Sequence, residues 1–177
     1  MLADGQLSDL EIVFLANWLE ENSELALSWP GDVIYQRVKA ALAAGHIADS
    51  DRQHLVESME QLVGGTMFGT GATEGLPTAL PIDQDAVVVI PKRSFCFTGL
   101  FLFGTREACE KAVSDRGGVP LPRIVKKLNY LVIGTVASPD WVNSSHGRKI
   151  EKAVDYNGHG AAVSIVAERS WVAALSR

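Results

Sequence analysis

The sequence predicts an α/β fold: a four-stranded parallel sheet flanked by helices in the C-terminal half, preceded by a small all-α domain. Two short apolar runs carry most of this expectation. Phe95-Cys96-Phe97-Thr98 and Tyr130-Leu131-Val132-Ile133 show no alternation, which is the pattern of strands covered on both faces. An amphipathic segment follows each run, so strand and helix alternate as they do around a parallel sheet. Charge supplies the third observation. Residues 1–91 hold three basic residues against fourteen acidic ones, a net −11, whereas residues 92–177 hold thirteen against seven, a net +6. A change of sign at one boundary predicts two units with different partners.

Residues 1–63 read as an acidic helical domain. A helix over 7–19 opens on Ser8, with Glu11 three residues later completing a capping box. Leu10, Phe14 and Trp18 repeat at four, and Ile12, Leu15 and Leu19 widen the apolar face. Residues 20–23 break the pattern. Trp29-Pro30-Gly31-Asp32 is a turn with Asp32 as a cap, and the next helix, 33–44, turns Ile34, Val38, Ala41 and Leu42 inward before Gly45 ends it. A third helix starts at Asp49 or Ser50 and runs to Leu62, using Leu55, Met59 and Leu62, and stops at Gly64-Gly65. The segment Asp4-Gly5-Gln6-Leu7-Ser8-Asp9 is echoed by Ala44-Gly45-His46-Ile47-Ala48-Asp49. This echo resembles EF-hands and the TerB-like helical domains of bacteria. Neither segment has oxygen ligands at alternate positions with a glutamate at the twelfth, so a plain helical bundle is expected rather than a metal site.

Residues 64–91 read as a linker rich in Gly, Thr and Pro. The glycines around Thr70 follow a helix rather than a strand and lack a following Lys-Ser/Thr, so they are not a phosphate loop. Val87-Val88-Val89-Ile90 is a short extended segment closed by Pro91. The second unit spans 92–177. Thr105 caps its first helix, with Ala108, Cys109, Ala112 and Val113 inward and Arg106, Glu107, Glu110 and Lys111 outward. Gly117-Gly118 ends that helix. Val119-Pro120-Leu121-Pro122 then reads as an edge strand, because proline cannot donate to a ladder. After the 130–133 strand, Ser144 or Ser145 caps a helix with Ile150, Ala153 and Val154 inward, stopped by Asn157-Gly158. A fourth strand over 162–166 and a closing helix over 170–175, with Trp171 in the core, complete the unit.

Several classes of function are excluded. No apolar run approaches the roughly 20 residues of a membrane helix. Met1-Leu2-Ala3-Asp4-Gly5 has neither a basic segment nor an apolar core, so no signal peptide is expected. Cys96 and Cys109 have no second pair and are expected as buried free thiols, which fits a reducing cytoplasm; the expected location is cytoplasmic, associated with the nucleoid if the source is a bacterium. There is no nucleophile elbow, Walker A or HExxH, so an enzyme is not expected, nor is a cofactor. His46, His54, His146 and His159 are scattered and expected at the surface, with His146 near the candidate site.

That site lies where the first strand ends and the helices begin. Thr98 offers a hydroxyl and Gly99 lets a ligand approach the backbone. The first turns of both long helices offer unpaired N–H groups and positive dipole ends. Arg106 can grip an oxyanion with two donors, and Lys149 adds a point charge. Together these are the needs of a phosphate.

The order Thr98-Gly99, Arg106, Gly117-Gly118, Lys127-Leu128-Asn129-Tyr130-Leu131-Val132, Lys149, Lys152-Ala153 and Trp171 resembles a BRCT domain over residues 92–175. Within that family it is similar to the modules of NAD-dependent DNA ligases and of the large subunit of replication factor C. The latter binds the phosphate at a recessed 5′ end of duplex DNA. The resemblance implies phosphate contacts at Thr98, Gly99, Arg106 and Lys149. Arg123, Lys126, Lys127, Arg148 and Lys152 are expected as secondary contacts along a DNA backbone. The expected function is non-enzymatic recognition of DNA ends or nicks through a 5′-phosphate, in replication or repair. The alternative is an interaction adaptor that takes a phosphoserine or phosphothreonine partner, or a protein contact through the apolar Phe101, Leu102 and Phe103. The acidic half is expected to weaken DNA binding, by repulsion or by covering the basic face.

Overall fold

The computed structural model describes residues 7–44, 48–64, 80–135 and 145–176. Its strands are β1 (Ser94–Thr98), β2 (Val119–Pro120), β3 (Tyr130–Ile133) and β4 (Ser164–Ala167). They form one parallel sheet in the order β2-β1-β3-β4. Helices α5 (Arg106–Ser114) and α6 (Ser145–Gly158) make the crossovers, and α7 (Glu168–Leu175) closes the chain. Alternate strand residues separate the two faces. Cys96, Leu131, Ile133 and Ile165 pack on Ile150 and Ala153 of α6. Phe95, Phe97, Val132 and Val166 pack on the other side against Cys109 and Val113 of α5 and Trp171 of α7. Trp171 is wholly buried and meets Phe97, Phe101 and Phe103 edge-to-face, with ring centroids 5.2, 6.3 and 5.0 Å away. Both cysteines are free and buried, and burial pushes both thiols up.

Local signals set the element ends. Thr105 Oγ1 accepts from the Ala108 N–H at 3.3 Å and caps α5. β2 is two residues long and pairs only with β1, with Leu121 N–H donating to Phe95 O at 2.7 Å. An edge position tolerates Pro120, which has no N–H to give.

The first part of the chain folds as α1 (Asp9–Glu21), α2 (Ser23–Ala26), α3 (Gly31–Ala43) and α4 (Asp49–Gly64). The capping box at Ser8 and Glu11 is present, with both reciprocal bonds made. These helices share a core of Leu7, Ile12, Leu15, Leu19, Val38 and Leu55. They also share a seam with the sheet half, where Val33 of α3 packs on Leu102. Arg37 holds that seam by donating from Nη1 to Leu102 O at 3.4 Å and from Nη2 to Asp51 O at 2.9 Å. No described helix is long and apolar enough to cross a membrane.

A buried carboxylate fixes the loops above the sheet. Glu168 is fully enclosed, and its Oε1 and Oε2 accept from the Phe103 and Thr135 N–H groups at 2.8 Å each. Burial pushes its carboxyl above the ordinary value, and the donated bonds pull the other way.

Several expectations are corrected. α1 buries Ile12, Leu15, Ala16 and Leu19 and leaves Leu10, Phe14 and Trp18 exposed at 82%, 54% and 41%. Apolar residues surround this helix. The spacing i, i+3, i+4, i+7 follows the helical period better than i, i+4, i+8, and α3 packs on one side only. Val33 rather than Leu42 is the buried residue of α3 beside Val38, and the N-cap is Pro30. Asp32 instead accepts from Val33 N–H at 2.8 Å. Val154 of α6 is exposed. β4 and α7 each begin two residues from the expected start, and the short α2 occupies part of the expected break. The expected linker ends early. Residues 65–79 lie outside the described residues, but Leu80 and Ile82 pack on one face of the sheet and Val88 and Ile90 are buried on the other. The sheet half therefore begins before Lys92. Phe101 and Leu102, expected as a partner surface, are buried inside the chain, because α3 and Trp171 cover them.

Two stability outcomes follow from this packing. Leu102→Ala should cost about 2–5 kcal/mol in urea unfolding, the range for a buried leucine, while Leu10→Ala should stay within about 0.5 kcal/mol. Glu168→Ala should cost roughly 2–5 kcal/mol, because it strands two buried N–H groups. Glu168→Gln keeps one acceptor and should cost clearly less. Equal losses for the two variants would show that charge, not the number of acceptors, holds the loops.

Candidate functional site

The chain leaves β1 for the outer strand β2 and then returns to the other side of β1 as β3. The strand order reverses between β1 and β3. In open α/β sheets, the crevice at the carboxyl ends of such a pair is where ligands bind. Thr98 and Gly99 end β1 there, and Ile133 and Gly134 end β3. Gly134 N–H donates to Thr98 O at 2.9 Å. Gly99 has φ +95°, and a Cβ on it would lie 3.2 Å from Gly134 N. A Cβ on Gly134 would lie 2.2 Å from Leu100 O, so the two loops touch backbone to backbone. Only glycine permits that approach.

Two cations converge on this end of β1. Arg106 is the first residue of α5 and is half-buried. Lys149 reaches from α6, on the other face of the sheet, and its Nζ donates to Phe97 O at 2.9 Å. Burial pushes the Lys149 ammonium below its ordinary value. Cys96 opposes this, and Arg106 adds to it. The buried Cys96 thiol is pushed up by burial and held back by Lys149 and then Arg106. Among the described residues, neither Arg106 nor Lys149 is in an ion pair. The first turn of α5 adds N–H groups that have no intrahelical partner.

Gly99, Thr105 and Arg106 line a groove of about 420 Å³ whose opposite wall is α4, through Ser50, Gln53, His54 and Glu57. The structure thus brings Gly99 and Arg106 onto one surface. Lys149 does not line this groove; it bonds Phe97 O from the other face of the sheet, and Arg106 pushes its ammonium down. Thr98 is wholly enclosed and lies beneath the groove rather than on its wall. The α4 wall has no signal in the sequence near Gly99, because some forty residues separate the two. His54 is corrected from a surface residue to a half-buried one, whose pKa is pushed down to about 4 by burial and then by Arg37. Its Nδ1 lies 3.3 Å from Ser58 Oγ.

The secondary basic residues divide between the two ends of the sheet. Arg148 and Lys152 are exposed on α6 around Lys149, with Lys152 Nζ 5.5 Å from the Tyr156 ring centroid. Lys126 and Lys127 are exposed at the opposite end, where Ser94 Oγ donates to Lys127 O at 3.4 Å. Four residues of strand, roughly 13 Å, separate Ser94 from Thr98. Arg123 is exposed in the loop after β2. His46, Ser144 and the side chains of Ser145 and His146 lie outside the described residues. No family model matches the chain, and no curated protein matches it.

Proposed function

We propose that the sheet half is a BRCT-type domain and that the protein is a non-enzymatic DNA-binding protein. It takes the 5′-phosphate of a DNA end or nick at the carboxyl ends of β1 and β3, in replication or repair. The observation that carries this reading is the pair Arg106 and Lys149. They are half-buried, within electrostatic reach of each other, and outside every ion pair among the described residues. Like charges held near each other in partly buried sites destabilise one another, and a bound dianion reverses that effect. The N-terminal end of α5 gives the anion donors and a favourable dipole.

Two further observations support the reading. The net +6 of residues 92–177 suits a polyanion. A four-stranded parallel sheet flanked by helices is the architecture the resemblance implies. The burial of Phe101 and Leu102 removes the contact surface that one form of the adaptor reading needs, which favours DNA.

Salt-titrated anisotropy on duplexes that differ only in the 5′-phosphate tests the proposal. The phosphorylated end should bind more tightly. Arg106→Ala should reduce that preference by roughly 1.5–3 kcal/mol, the scale of a hydrogen bond to a charged group. Lys149→Glu should abolish it. Lys126→Ala, at the far end of the sheet, should lower affinity for both ends alike and reduce the salt slope by about 0.9. Equal affinity for both ends, or Lys149→Glu behaving as Lys126→Ala does, refutes the pocket. A phosphoserine peptide that binds more tightly than the phosphorylated duplex would favour the adaptor.

A further inference from the structure

The groove in front of Gly99 and Arg106 is not built by the sheet half alone. Ser50, Gln53, His54 and Glu57 of α4 form its second wall. The charges on its walls are few. Arg106 and its neighbour Glu107 lie on one side and Glu57 on the other. His54 adds none at neutral pH, because burial holds its pKa at about 4. Gln53 Nε2 donates to Glu57 Oε1 at 3.1 Å along that wall.

We propose that Glu57 is a specificity-determining residue of this groove: its carboxylate opposes a terminal phosphate seated on Gly99 and Arg106 and so limits the preference for phosphorylated ends. The proposal rests on the phosphate reading above and deepens it. A carboxylate across a groove acts most on the ligand that places the highest charge at that point. A terminal phosphate brings nearly two negative charges there, whereas a hydroxyl end brings none. Removing the Glu57 charge therefore raises selectivity and not only affinity. Glu57 is exposed, so the effect is screened by salt.

The test uses the full chain, the same paired duplexes and low salt, with Glu57→Gln compared against Glu60→Gln. Glu60 is exposed on the same helix and is not on the groove, so both variants change net charge equally. Gln at 57 keeps an acceptor for Gln53, and thermal melts check that both variants fold. Glu57→Gln should tighten binding of the phosphorylated end about threefold to tenfold and of the hydroxyl end less than about twofold, the scale of one partly screened charge. Glu60→Gln should raise both alike and only slightly. The gain at Glu57 should shrink as salt rises. Identical behaviour of the two variants, or weaker binding by Glu57→Gln, overturns the role of Glu57 while leaving the phosphate site intact if Arg106→Ala still removes the preference. No preference for phosphorylated ends in any protein tested overturns both.

Discussion

The two loops that make the crevice are held by one carboxylate. Glu168, at the start of α7, binds the backbone after β1 at Phe103 and the backbone after β3 at Thr135. Burying a carboxylate is costly, and it is tolerated here because backbone donors meet both oxygens. Everything above the sheet depends on that arrangement. With Phe103 fixed, Phe101 turns under Trp171 and Leu102 turns out toward Val33. With Thr135 fixed, Gly134 stays against Thr98 O and Gly99 stays against Gly134. The seam with the helices and the floor of the groove share this one support.

What the sequence made legible is what depends on near neighbours. Ser8 with Glu11 and Thr105 mark helix starts through bonds three residues away, and both are made. The unalternating runs at β1 and β3 name strands whatever lies on either side. Pro120 excludes a central position by its own chemistry. What stayed illegible depends on what packs across. Leu10, Phe14 and Trp18 looked as good a face as Ile12, Leu15 and Leu19, and only the location of α3 separates them. Phe101 to Phe103 looked like a sticky exposed loop because nothing nearby in sequence covers it. The extended segment at Val88 and Ile90 looked like the end of a linker, yet it caps the aromatic face of the sheet.

The site divides the same way. A parallel crossover places the end of a strand beside the head of the helix that follows, so Gly99 and Arg106, seven residues apart, could be paired from the sequence. Lys149 needed the order of the strands, which a repeated strand-helix pattern supplies. Glu57 needed the docking of a separate set of helices, and no local pattern encodes that. Thr98 shows the limit from the other side. Burial puts its side chain under the groove rather than in it.

The charge asymmetry gains a different meaning from this geometry. No ion pair joins the two halves among the described residues. Among the described residues, Arg52 pairs with Asp9 inside the helical half, and Lys111 pairs with Asp115 inside the sheet half. The seam is apolar and is crossed by Arg37, a cation from the acidic side that bonds a carbonyl rather than a carboxylate. The acidic charge of the helical half is therefore not paired with the sheet half among the described residues. Its influence on a bound anion is then a matter of distance. Exposed charges more than about 10 Å apart are largely screened at 0.1 M salt. By that rule an exposed acid far from the groove counts for less there than Glu57, which lines it. The total charge of a domain describes how it is approached, and the charges nearest a groove act most on what enters it.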